Sequence, residues 1–346
     1  MSRLYDEIHE QPEVIARLIS AESPRVARIA TELHARPIRY VLIAGRGTSD
    51  HAAIYAKYLF GGMLGLPVAL AAPSLYTLYR RPPRTGDDAL VIGISQSGES
   101  PDIVAVLAEA RRQGATTLAV TNEPDSPLAR ASEFTIPCHA GPELSIAATK
   151  TYTAQLTALA MLVASWTQDK GMQDDVRQLP EALDQALALA PESCVVAQRY
   201  RSIESAVVLG RGYNYATAFE LALKIKELTY LGISAYSPAD FRHGPIAMIE
   251  PGFPVIVIAP QGASMPDLAA ISEELVGRGA DVIAIADEPA SLPMASVGLW
   301  LATSLPEWLS PIAYIVPGQL LALNLALARG LDPDQPRGLH KVTKTL

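Results

Sequence analysis

The sequence predicts an α/β protein in which a parallel sheet flanked by helices occurs twice. Continuous apolar runs rich in Val, Ile and Leu alternate with longer Ala- and Leu-rich segments of helical period, a pattern typical of buried parallel strands joined by helices. In addition, several turn sequences recur at one fixed spacing along the chain. The two observations together indicate two similar α/β units.

Seven apolar runs are the predicted strands, and helical patterns separate them. The runs are YVLIAG (40–45), ALVIGIS (89–95), TTLAVT (116–121), FTIPC (134–138), AVVLG (206–210), VIVIAP (255–260) and DVIAIAD (281–287). Upstream, residues 5–34 have the pattern of one or two amphipathic helices. Residues 331–346, by contrast, have no apolar periodicity, so this tail requires another explanation.

The repeat has a single register. Gly45-Arg46-Gly47 recurs as Gly210-Arg211-Gly212, an offset of 165 residues (210 − 45). At the same offset Gln96 falls on Gln261, Pro101-Asp102 on Pro266-Asp267, Gly114-Ala115 on Gly279-Ala280, and Glu123-Pro124 on Glu288-Pro289. Because one offset aligns several separated turns, we expect the repeats to cover approximately residues 40–140 and 205–305.

Composition excludes several classes of protein. The chain has 346 residues, 49% of them hydrophobic, which is enough for a large core. Its 28 Lys plus Arg against 36 Asp plus Glu give a net charge of −8, so a nucleic-acid partner is not expected. Two cysteines without a Cys/His cluster predict neither disulfides nor a metal site and fit a reducing cytoplasm.

No secretion signal or membrane span is expected. The N-terminus is charged, and the apolar segment GGMLGLPVALAAP is short and interrupted by Pro67. The expected location is therefore cytoplasmic, without a membrane partner.

The stretch SQSGES (95–100) places three serines and a glycine between a predicted strand and a predicted helix. Ser100-Pro101-Asp102 has the pattern of a helix start, so capping and turn chemistry alone are one interpretation. In the second copy Pro266 and Asp267 remain, whereas the serines are replaced by Pro260, Gly262 and Met265. The repeat therefore indicates that the turn can be built without the hydroxyls.

Phosphate binding is the alternative interpretation of these hydroxyls. A turn from strand to helix directs backbone N–H groups and the positive end of the helix dipole at one point, where hydroxyls add donors. Thr48 and Ser49 follow the first strand and become Tyr213 and Asn214 in the second copy. We therefore expect one phosphate site per chain, in the first unit. No Gly-Lys-Ser/Thr or GxGxxG follows these strands, so ATP and NAD are not expected, and no cofactor is predicted.

With these residues assembled, the chain resembles the sugar isomerase (SIS) family, and most closely the isomerase half of glutamine–fructose-6-phosphate aminotransferase. The resemblance covers residues from about 40 to the end and includes GRGTS, SQSGES, AGPELSIAATKTYTAQL, ELALKIKEL, FRHGP and DQPRGLHK. It implies two tandem SIS domains, each with a five-stranded parallel sheet. We expect N-terminal helices in 1–34, the phosphosugar-binding domain in 35–170, the second domain in 171–330, and a tail covering the active site in 331–346.

The resemblance also implies which residues bind the substrate, a sugar 6-phosphate. The positions that match those holding the phosphate are Thr48, Ser49, Ser95, Gln96, Ser97 and Ser100. Those that match positions lining or supporting the sugar are Glu143, Ile146 and Thr149.

Four further residues match catalytic positions. Glu227 corresponds to the acid/base that moves a proton between C1 and C2, with Lys224 beside it; a carboxylate that accepts and donates suits this step. Lys341 corresponds to a catalytic lysine whose unprotonated amine can form an imine with an open-chain ketose, a form that desolvation or a nearby cation such as Lys224 favours. His243 corresponds to the residue that opens the sugar ring from a neighbouring subunit, which implies a homodimer.

Each catalytic residue also has a structural interpretation. Glu227 could be a solvated helix residue, Lys341 a mobile tail charge, and His243 a core histidine capping its turn. The joint pattern of the family favours the catalytic interpretation over these three alternatives.

The sequence departs from the family pattern at positions that affect the expected reaction more than the expected binding of phosphate. Ala148 stands where the aminotransferase has a sugar-contacting serine, and Asp240 replaces the glutamate usual before His-Gly-Pro. The chain begins near the isomerase half, so glutamine-dependent synthesis is not expected, and KVT near the terminus resembles stand-alone glucosamine-6-phosphate deaminases. The expected reaction converts glucosamine 6-phosphate to fructose 6-phosphate and ammonia. The alternatives are another 6-phosphosugar isomerase, a fructosamine-6-phosphate deglycase, and a non-catalytic sugar-phosphate sensor.

Overall fold

The computed structural model describes residues 2–339 and 341, and these divide into two compact units. The first unit comprises residues 13–144, 150–177 and Lys341; the second comprises 2–12, 145–149 and 178–339. Both units are discontinuous in sequence, whereas the sequence predicts four consecutive segments. Part of the predicted tail, His340 and residues 342–346, lies outside the described residues.

The ten strands of the described residues form two sheets. They are β1 Tyr40–Ala44, β2 Val68–Leu70, β3 Ala89–Ile94, β4 Thr116–Thr121, β5 Phe134–Pro137, β6 Ser205–Leu209, β7 Gly232–Tyr236, β8 Pro254–Ala259, β9 Asp281–Ala286 and β10 Val297–Trp300. The first unit has the strand order β2-β1-β3-β4-β5 and the second β10-β9-β8-β6-β7, and every pairing is parallel. Each unit therefore has the predicted five-stranded parallel sheet.

Helices connect the strands in the α/β manner. They are α1 Arg3–His9, α2 Gln11–His34, α3 Thr48–Leu64, α4 Ser74–Thr77, α5 Pro101–Arg112, α6 Pro127–Ala131, α7 Lys150–Trp166, α8 Lys170–Arg177, α9 Leu179–Leu187, α10 Ala190–Tyr200, α11 Tyr215–Thr229, α12 Pro238–Arg242, α13 Met265–Gly277 and α14 Ser310–Ala328. The helical pattern predicted over residues 5–34 is present as α1 and α2.

The repeat register holds in three dimensions. Shifted by 165 residues, the bounds of β1, β3 and β4 coincide with those of β6, β8 and β9. All seven predicted strands are present. The three unpredicted ones, β2, β7 and β10, lie at sheet edges. An edge strand is covered less completely, so its sequence lacks the continuous apolar run of a central strand such as β3, in which every residue is buried.

Close packing of helices on the sheet forms the core of each unit. In the first unit Gly93 of β3 leaves room for Leu107 of α5, because a Cβ at position 93 would lie 2.6 Å from a Leu107 methyl group. In the second unit Val257 of β8, Ile271 of α13 and Phe241 are buried together. Fully burying one such side chain contributes about 1.5–3 kcal/mol, so these layers dominate the stability of each unit.

One apolar helix is explained by burial. Within the described residues, α14 alone is long and apolar enough to cross a membrane, and 83% of its most apolar window is buried inside the protein. Its mean hydropathy over that window is 1.5, a value shared by core helices of globular proteins. Its burial identifies it as the core helix of the second unit.

The beginning of the C-terminal tail is anchored in the second unit. The Asp334 carboxylate accepts hydrogen bonds from the backbone N–H groups of Arg3 (2.8 Å) and Leu4 (3.0 Å) at the start of α1. The backbone N–H of Arg337 donates to the Tyr230 hydroxyl (2.8 Å), and its guanidinium lies 4.1 Å from that ring. The tail thus follows a defined path despite its lack of apolar periodicity.

Candidate functional site

The topological switch point of the first sheet lies at the carboxyl ends of β1 and β3, where open parallel sheets form a crevice. These neighbouring strands connect in opposite directions across the sheet, β1 to β2 and β3 to β4, so their following turns diverge. Ligands of open parallel sheets bind at this switch point. The turn after β1 carries Thr48 and Ser49, and the turn after β3 carries Ser95–Ser100. The fold therefore places all six predicted phosphate-binding residues on the two turns that border one crevice.

Serine hydroxyls shape the turn at 95–100 by accepting backbone hydrogen bonds. Ser95 Oγ accepts from the N–H of Gly98 (3.1 Å), and Ser97 Oγ accepts from the N–H of Glu99 (3.3 Å). Each bond uses an oxygen lone pair and leaves the hydroxyl proton for a second bond. Gly98 has φ +61°, and a Cβ there would overlap the Ser126 side chain. The turn at 95–100 is thus compact, and the hydroxyl protons of Ser95 and Ser97 can donate hydrogen bonds to a ligand.

Ser100 occupies the N-cap position of α5 without capping it through its side chain. Its backbone is extended (φ −64°, ψ 110°), and the side chain makes no cap hydrogen bond. The Ser100 hydroxyl therefore does not cap α5. The N-terminus of the 12-residue helix α5 faces the same turn with its positive dipole end.

Thr48 and Ser49 begin α3 on the other side of the crevice. The helix starts at Thr48 directly after Gly47, whose φ is +53°. Ser49 is buried, and its Oγ accepts a hydrogen bond from Gln155 Nε2 (3.2 Å). Gly45 is required before this turn because a Cβ at position 45 would lie 2.6 Å from the Ser49 carbonyl oxygen.

A cavity of about 560 Å³ adjoins the turn at 95–100. Side chains of both charges line it, including Gln96, Ser97, Glu99, Ser126, Arg130 and Lys341. Gln96 is half-buried, and its carbonyl oxygen accepts from the N–H of Asn122 (3.0 Å). This cavity brings two predicted phosphate-binding residues together with the predicted catalytic lysine.

Lys341 forms an ion pair with Glu143 in the first unit. Its Nζ donates to Glu143 Oε2 at 2.8 Å, and the Glu143 side chain is fully buried. Thr151, at the start of α7, holds the same carboxylate through its N–H (3.1 Å) and its hydroxyl (2.7 Å). An ammonium has no lone pair, so Lys341 must leave this ion pair and lose a proton before it can form an imine.

Three charged residues lie along one face of α11 in the second unit. Lys224 Nζ is 2.6 Å from Glu227 Oε2 and 3.4 Å from Glu220 Oε1. The Lys224 and Glu220 side chains are 1% and 0% exposed, whereas Glu227 is 21% exposed. The spacing i, i+4 and i+7 stacks them on one helix face. Lys224 therefore holds Glu227 in place through its buried Oε2, while the rest of the side chain is partly exposed.

His243 is exposed at the end of α12. Its backbone N–H donates to the Asp240 carbonyl (3.1 Å), and Ser237 caps the start of the helix by accepting from the Asp240 N–H (3.1 Å). The core-histidine interpretation fails because the residue is exposed. Asp240, the departure from the family pattern, accepts a hydrogen bond from the Ser237 hydroxyl (2.7 Å) and so stabilises the same short helix.

The remaining predicted sugar residues, Ile146 and Thr149, lie in the segment 145–149 of the second unit. Ile146 is half-buried and Thr149 is 1% exposed. The Ser145 N–H donates to the buried Glu7 carboxylate (3.2 Å). This bond ties the segment to α1.

The described residues contain no metal-binding cluster, and the thiol nearest to Glu143 is buried. They contain no group of three His, Cys, Asp or Glu side chains able to hold a metal ion. Burial raises the pKa of the Cys138 thiol far above its ordinary value, and the nearby Glu143 carboxylate raises it further. The predicted site residues therefore supply carboxylates, amines, hydroxyls and the exposed imidazole of His243.

Sequence reasoning missed several residues that hold the predicted ones. Glu220 precedes Lys224 by four residues in ELALKIKE, which is the signal that could have identified it. Asp102 is fully buried and accepts from Arg46 Nε at 2.7 Å, fixing the first turn to the start of α5. The repeat could have revealed this pair, because Arg211 and Asp267 also pair (3.4 Å) at the same register. Thr151 had no separate signal.

Two parallel α/β units in tandem define the structural class of this protein. Residues 36–165 and 200–329 each match the SIS domain. The chain therefore belongs to the SIS domain family and contains two copies of the domain.

Named relatives agree with this assignment. The chain is 36% identical over 343 residues to glutamine–fructose-6-phosphate aminotransferase (isomerizing) of Pyrococcus horikoshii, covering 97% of this chain and 56% of that protein. The crystal structure of a candidate phosphosugar isomerase from Silicibacter pomeroyi DSS-3 is 38% identical, with a TM-score of 0.88, 96% of this chain covered and 100% of that chain. The C-terminal domain of glucosamine-fructose-6-phosphate aminotransferase from Francisella tularensis is 26% identical, with a TM-score of 0.87 and coverage of 97% and 98%.

Proposed function

We propose that this protein is a phosphosugar aldose–ketose isomerase and deaminase that converts glucosamine 6-phosphate to fructose 6-phosphate and ammonia in the cytoplasm. The observation that carries the proposal is the hydroxyl-lined crevice of the first unit, where two turns converge beside the N-terminus of α5. A phosphate monoester is the ligand that such donors suit. The names of the relatives, which include a phosphosugar isomerase and an isomerizing glutamine–fructose-6-phosphate aminotransferase, support the substrate class.

In this proposal the phosphate is bound by six residues of the first unit: Thr48, Ser49, Ser95, Gln96, Ser97 and Ser100. Ser49, Ser95 and Ser97 each accept one protein hydrogen bond and keep a proton to donate. Glu143, Ile146 and Thr149 support the sugar, with Glu143 also holding Lys341. We expect this reaction to need no metal or cofactor.

Proton transfer between C1 and C2 is the step assigned to Glu227. In the open-chain amino sugar, removal of the C2 proton gives an enolamine, and protonation at C1 converts it to an imine at C2. Water then adds to C2, the C–N bond breaks, and ammonia leaves with the ketone formed. Lys224 positions the Glu227 carboxylate through their 2.6 Å contact. His243 of a neighbouring subunit opens the ring in a homodimer. The neutral Lys341 amine can add to C2 in place of water: ammonia leaves, and water then hydrolyses the Lys341 imine to the ketose and the free amine.

One assay distinguishes this reaction from its alternatives. Purified protein is incubated with a panel of 6-phosphosugars, and ammonia and ketose are measured together. Ammonia and fructose 6-phosphate in equal amounts from glucosamine 6-phosphate are the expected products. Ketose without ammonia would assign another isomerase, release of an amine from a fructosamine 6-phosphate would assign a deglycase, and binding without turnover would assign a sensor. Glucosamine 6-phosphate formed from fructose 6-phosphate and glutamine would replace the deaminase with an aminotransferase.

The Glu227→Gln variant tests the role of the carboxylate. We expect turnover to fall by about 10²–10⁴-fold, because an amide cannot accept and return the proton. Phosphosugar affinity, measured by calorimetry, is expected to change little, because the predicted phosphate donors belong to the first unit. Glu204→Gln, an exposed glutamate of the second unit, is the matched control. Full turnover in the Glu227 variant would exclude this assignment.

A further inference from the structure

The second unit retains the crevice of its fold but lacks the hydroxyls. The turns after β6 and β8 meet at the switch point of the strand order β10-β9-β8-β6-β7. They correspond in the repeat register to the two turns that carry the predicted phosphate residues in the first unit. Pro260 and Gly262 stand at the positions of Ser95 and Ser97. The sequence therefore gives this crevice no obvious ligand.

A carboxylate of the same unit occupies this crevice. Glu307 lies in the loop before α14, and its Oε2 accepts from the N–H of Ala263 (2.7 Å). Its Oε1 accepts from the N–H (3.2 Å) and the hydroxyl (2.5 Å) of Ser264, the N-cap residue of α13. Three donors at a helix N-terminus thus converge on one anion.

Glycines of both turns lie next to this carboxylate, and Gly262 makes room for it. A Cβ at Gly262, whose φ is +148°, would overlap the Glu307 carboxyl group. A Cβ at Gly212, in the turn after β6, would lie 4.0 Å from Glu307 Oε1. Glu307 therefore sits between the two turns that border the crevice, which is where a ligand of such a sheet binds.

The two units satisfy the same pair of backbone donors in different ways. In the first unit the N–H groups of Gly98 and Glu99 donate to Ser95 and Ser97. In the second unit the corresponding N–H groups, those of Ala263 and Ser264, donate to Glu307. A carboxylate and a phosphate both present anionic oxygens to N–H and O–H donors. Glu307 thus takes the place that the Ser95 and Ser97 oxygens have in the first unit, and it does so as an anion on donors that a phosphate could also use.

We propose that Glu307 is a resident anion that fills a latent phosphate site in the second unit, so that this unit is closed to phosphate and the chain's phosphosugar capacity is confined to the first unit. Without Glu307, two backbone N–H groups and the Ser264 hydroxyl would surround an empty crevice at the N-terminus of α13. Inorganic phosphate or a phosphate monoester is the ligand that this donor set would take. The proposal holds for any sugar that the first unit accepts.

The test counts phosphate ions bound per chain. Full-length wild type, Glu307→Ala and Glu273→Ala are titrated with inorganic phosphate by calorimetry, with chloride at the same ionic strength as the reference. Glu273 is an exposed glutamate of α13 and controls for the loss of charge from the same region. We expect Glu307→Ala to bind one more phosphate per chain than wild type, and Glu273→Ala to bind the same number as wild type. The test depends only on the difference between Glu307→Ala and wild type in the number of phosphate ions bound per chain. It therefore remains valid even if the first unit binds no phosphate.

A folded Glu307→Ala variant without an added phosphate would overturn the proposal. If that variant does not fold, Glu307→Gln replaces it, because the amide keeps an acceptor oxygen and removes the charge. We then expect a lower Tm than that of Glu273→Gln, and recovery of the difference in phosphate but not in chloride. A Glu307→Gln variant as stable as Glu273→Gln, or one that phosphate does not restore, would exclude a resident anion.

Discussion

Gly98 determines the shape of the hydroxyl-lined turn. Its positive φ of +61° strains any residue with a Cβ, and the added methyl group of Gly98→Ala would also overlap Ser126. We expect this variant to lose about 2–4 kcal/mol of unfolding free energy and to bind phosphosugars more weakly. Urea unfolding and calorimetry measure the two effects.

Gly114→Ala is the matched control for this prediction. Gly114 also has a positive φ (+90°), but a Cβ there would meet nothing within 4 Å. Its substitution therefore reports backbone strain alone, which costs about 1–2 kcal/mol. Equal losses in the two variants would show that the close approach to Ser126 contributes nothing.

Individual residues could be predicted from the sequence where their role depends on the local chain. The turn residues of the first unit follow directly after strands whose apolar runs are continuous, so their place in the fold was predictable. Glu307 was not, because its partners Ala263 and Ser264 are more than 40 residues away and pair with it only through the tertiary fold. Ser100 is the opposite case: the local sequence predicts a side-chain cap, but in the structure its hydroxyl makes no capping hydrogen bond.

Among the elements, the starts of α5 and α13 carry equivalent ion pairs in different surroundings. Asp102 is fully buried and 2.7 Å from Arg46, whereas Asp267 is 36% exposed and 3.4 Å from Arg211. Removing the arginine leaves an uncompensated buried charge in the first case and a solvated one in the second. We therefore expect Arg46→Ala to cost about 2–4 kcal/mol and Arg211→Ala less than about 1 kcal/mol, both measured by urea unfolding.

The two arginine variants control for each other, because each changes the same residue type at the same repeat position. Asp267 also keeps a second partner, Arg242, at 3.0 Å, which further reduces the expected effect of Arg211→Ala. A cost for Arg46→Ala no larger than that for Arg211→Ala would contradict the proposed importance of burial.

A strand could be predicted from the sequence when both of its faces are buried in the protein. The central strands β3, β4, β8 and β9 have mostly or wholly buried residues and therefore continuous apolar sequences. The edge strand β2 has three residues and none of them is fully buried, so its sequence carries too little pattern to distinguish it from a loop. The repeat does not compensate for this, because β7, the equivalent of β2 in the second sheet, is an edge strand that the sequence did not predict either.

At the scale of the whole molecule, the sequence could indicate two units but not the path of the chain between them. Residues 2–12 and 145–149 belong to the second unit although they flank or interrupt the first in sequence. Membership of this kind depends on which surfaces the segments bury, as the bond between Ser145 and Glu7 illustrates. Local propensity contains no such information.

The proposed homodimer makes a prediction about the complete assembly. If His243 acts in the site of the neighbouring subunit, Glu227→Gln and His243→Ala chains complement each other when mixed. Each heterodimer then has one site with both groups intact and one with neither. Random exchange of equal amounts makes half of the dimers mixed, so recovery to about a quarter of wild-type turnover is expected.

Lys224→Met provides the control for this mixing experiment, because Lys224 contacts Glu227 on the same helix and must act within the same chain. Mixtures of Glu227→Gln with Lys224→Met are expected to stay inactive, since every site then lacks one of the two groups. Native mass spectrometry of tagged chains establishes that exchange has occurred. No recovery in the first mixture despite exchange would place His243 outside the neighbouring site, and equal recovery in both mixtures would show that the rescue does not depend on a shared site. Recovery in the first mixture alone therefore distinguishes a site completed by two subunits from two independent sites.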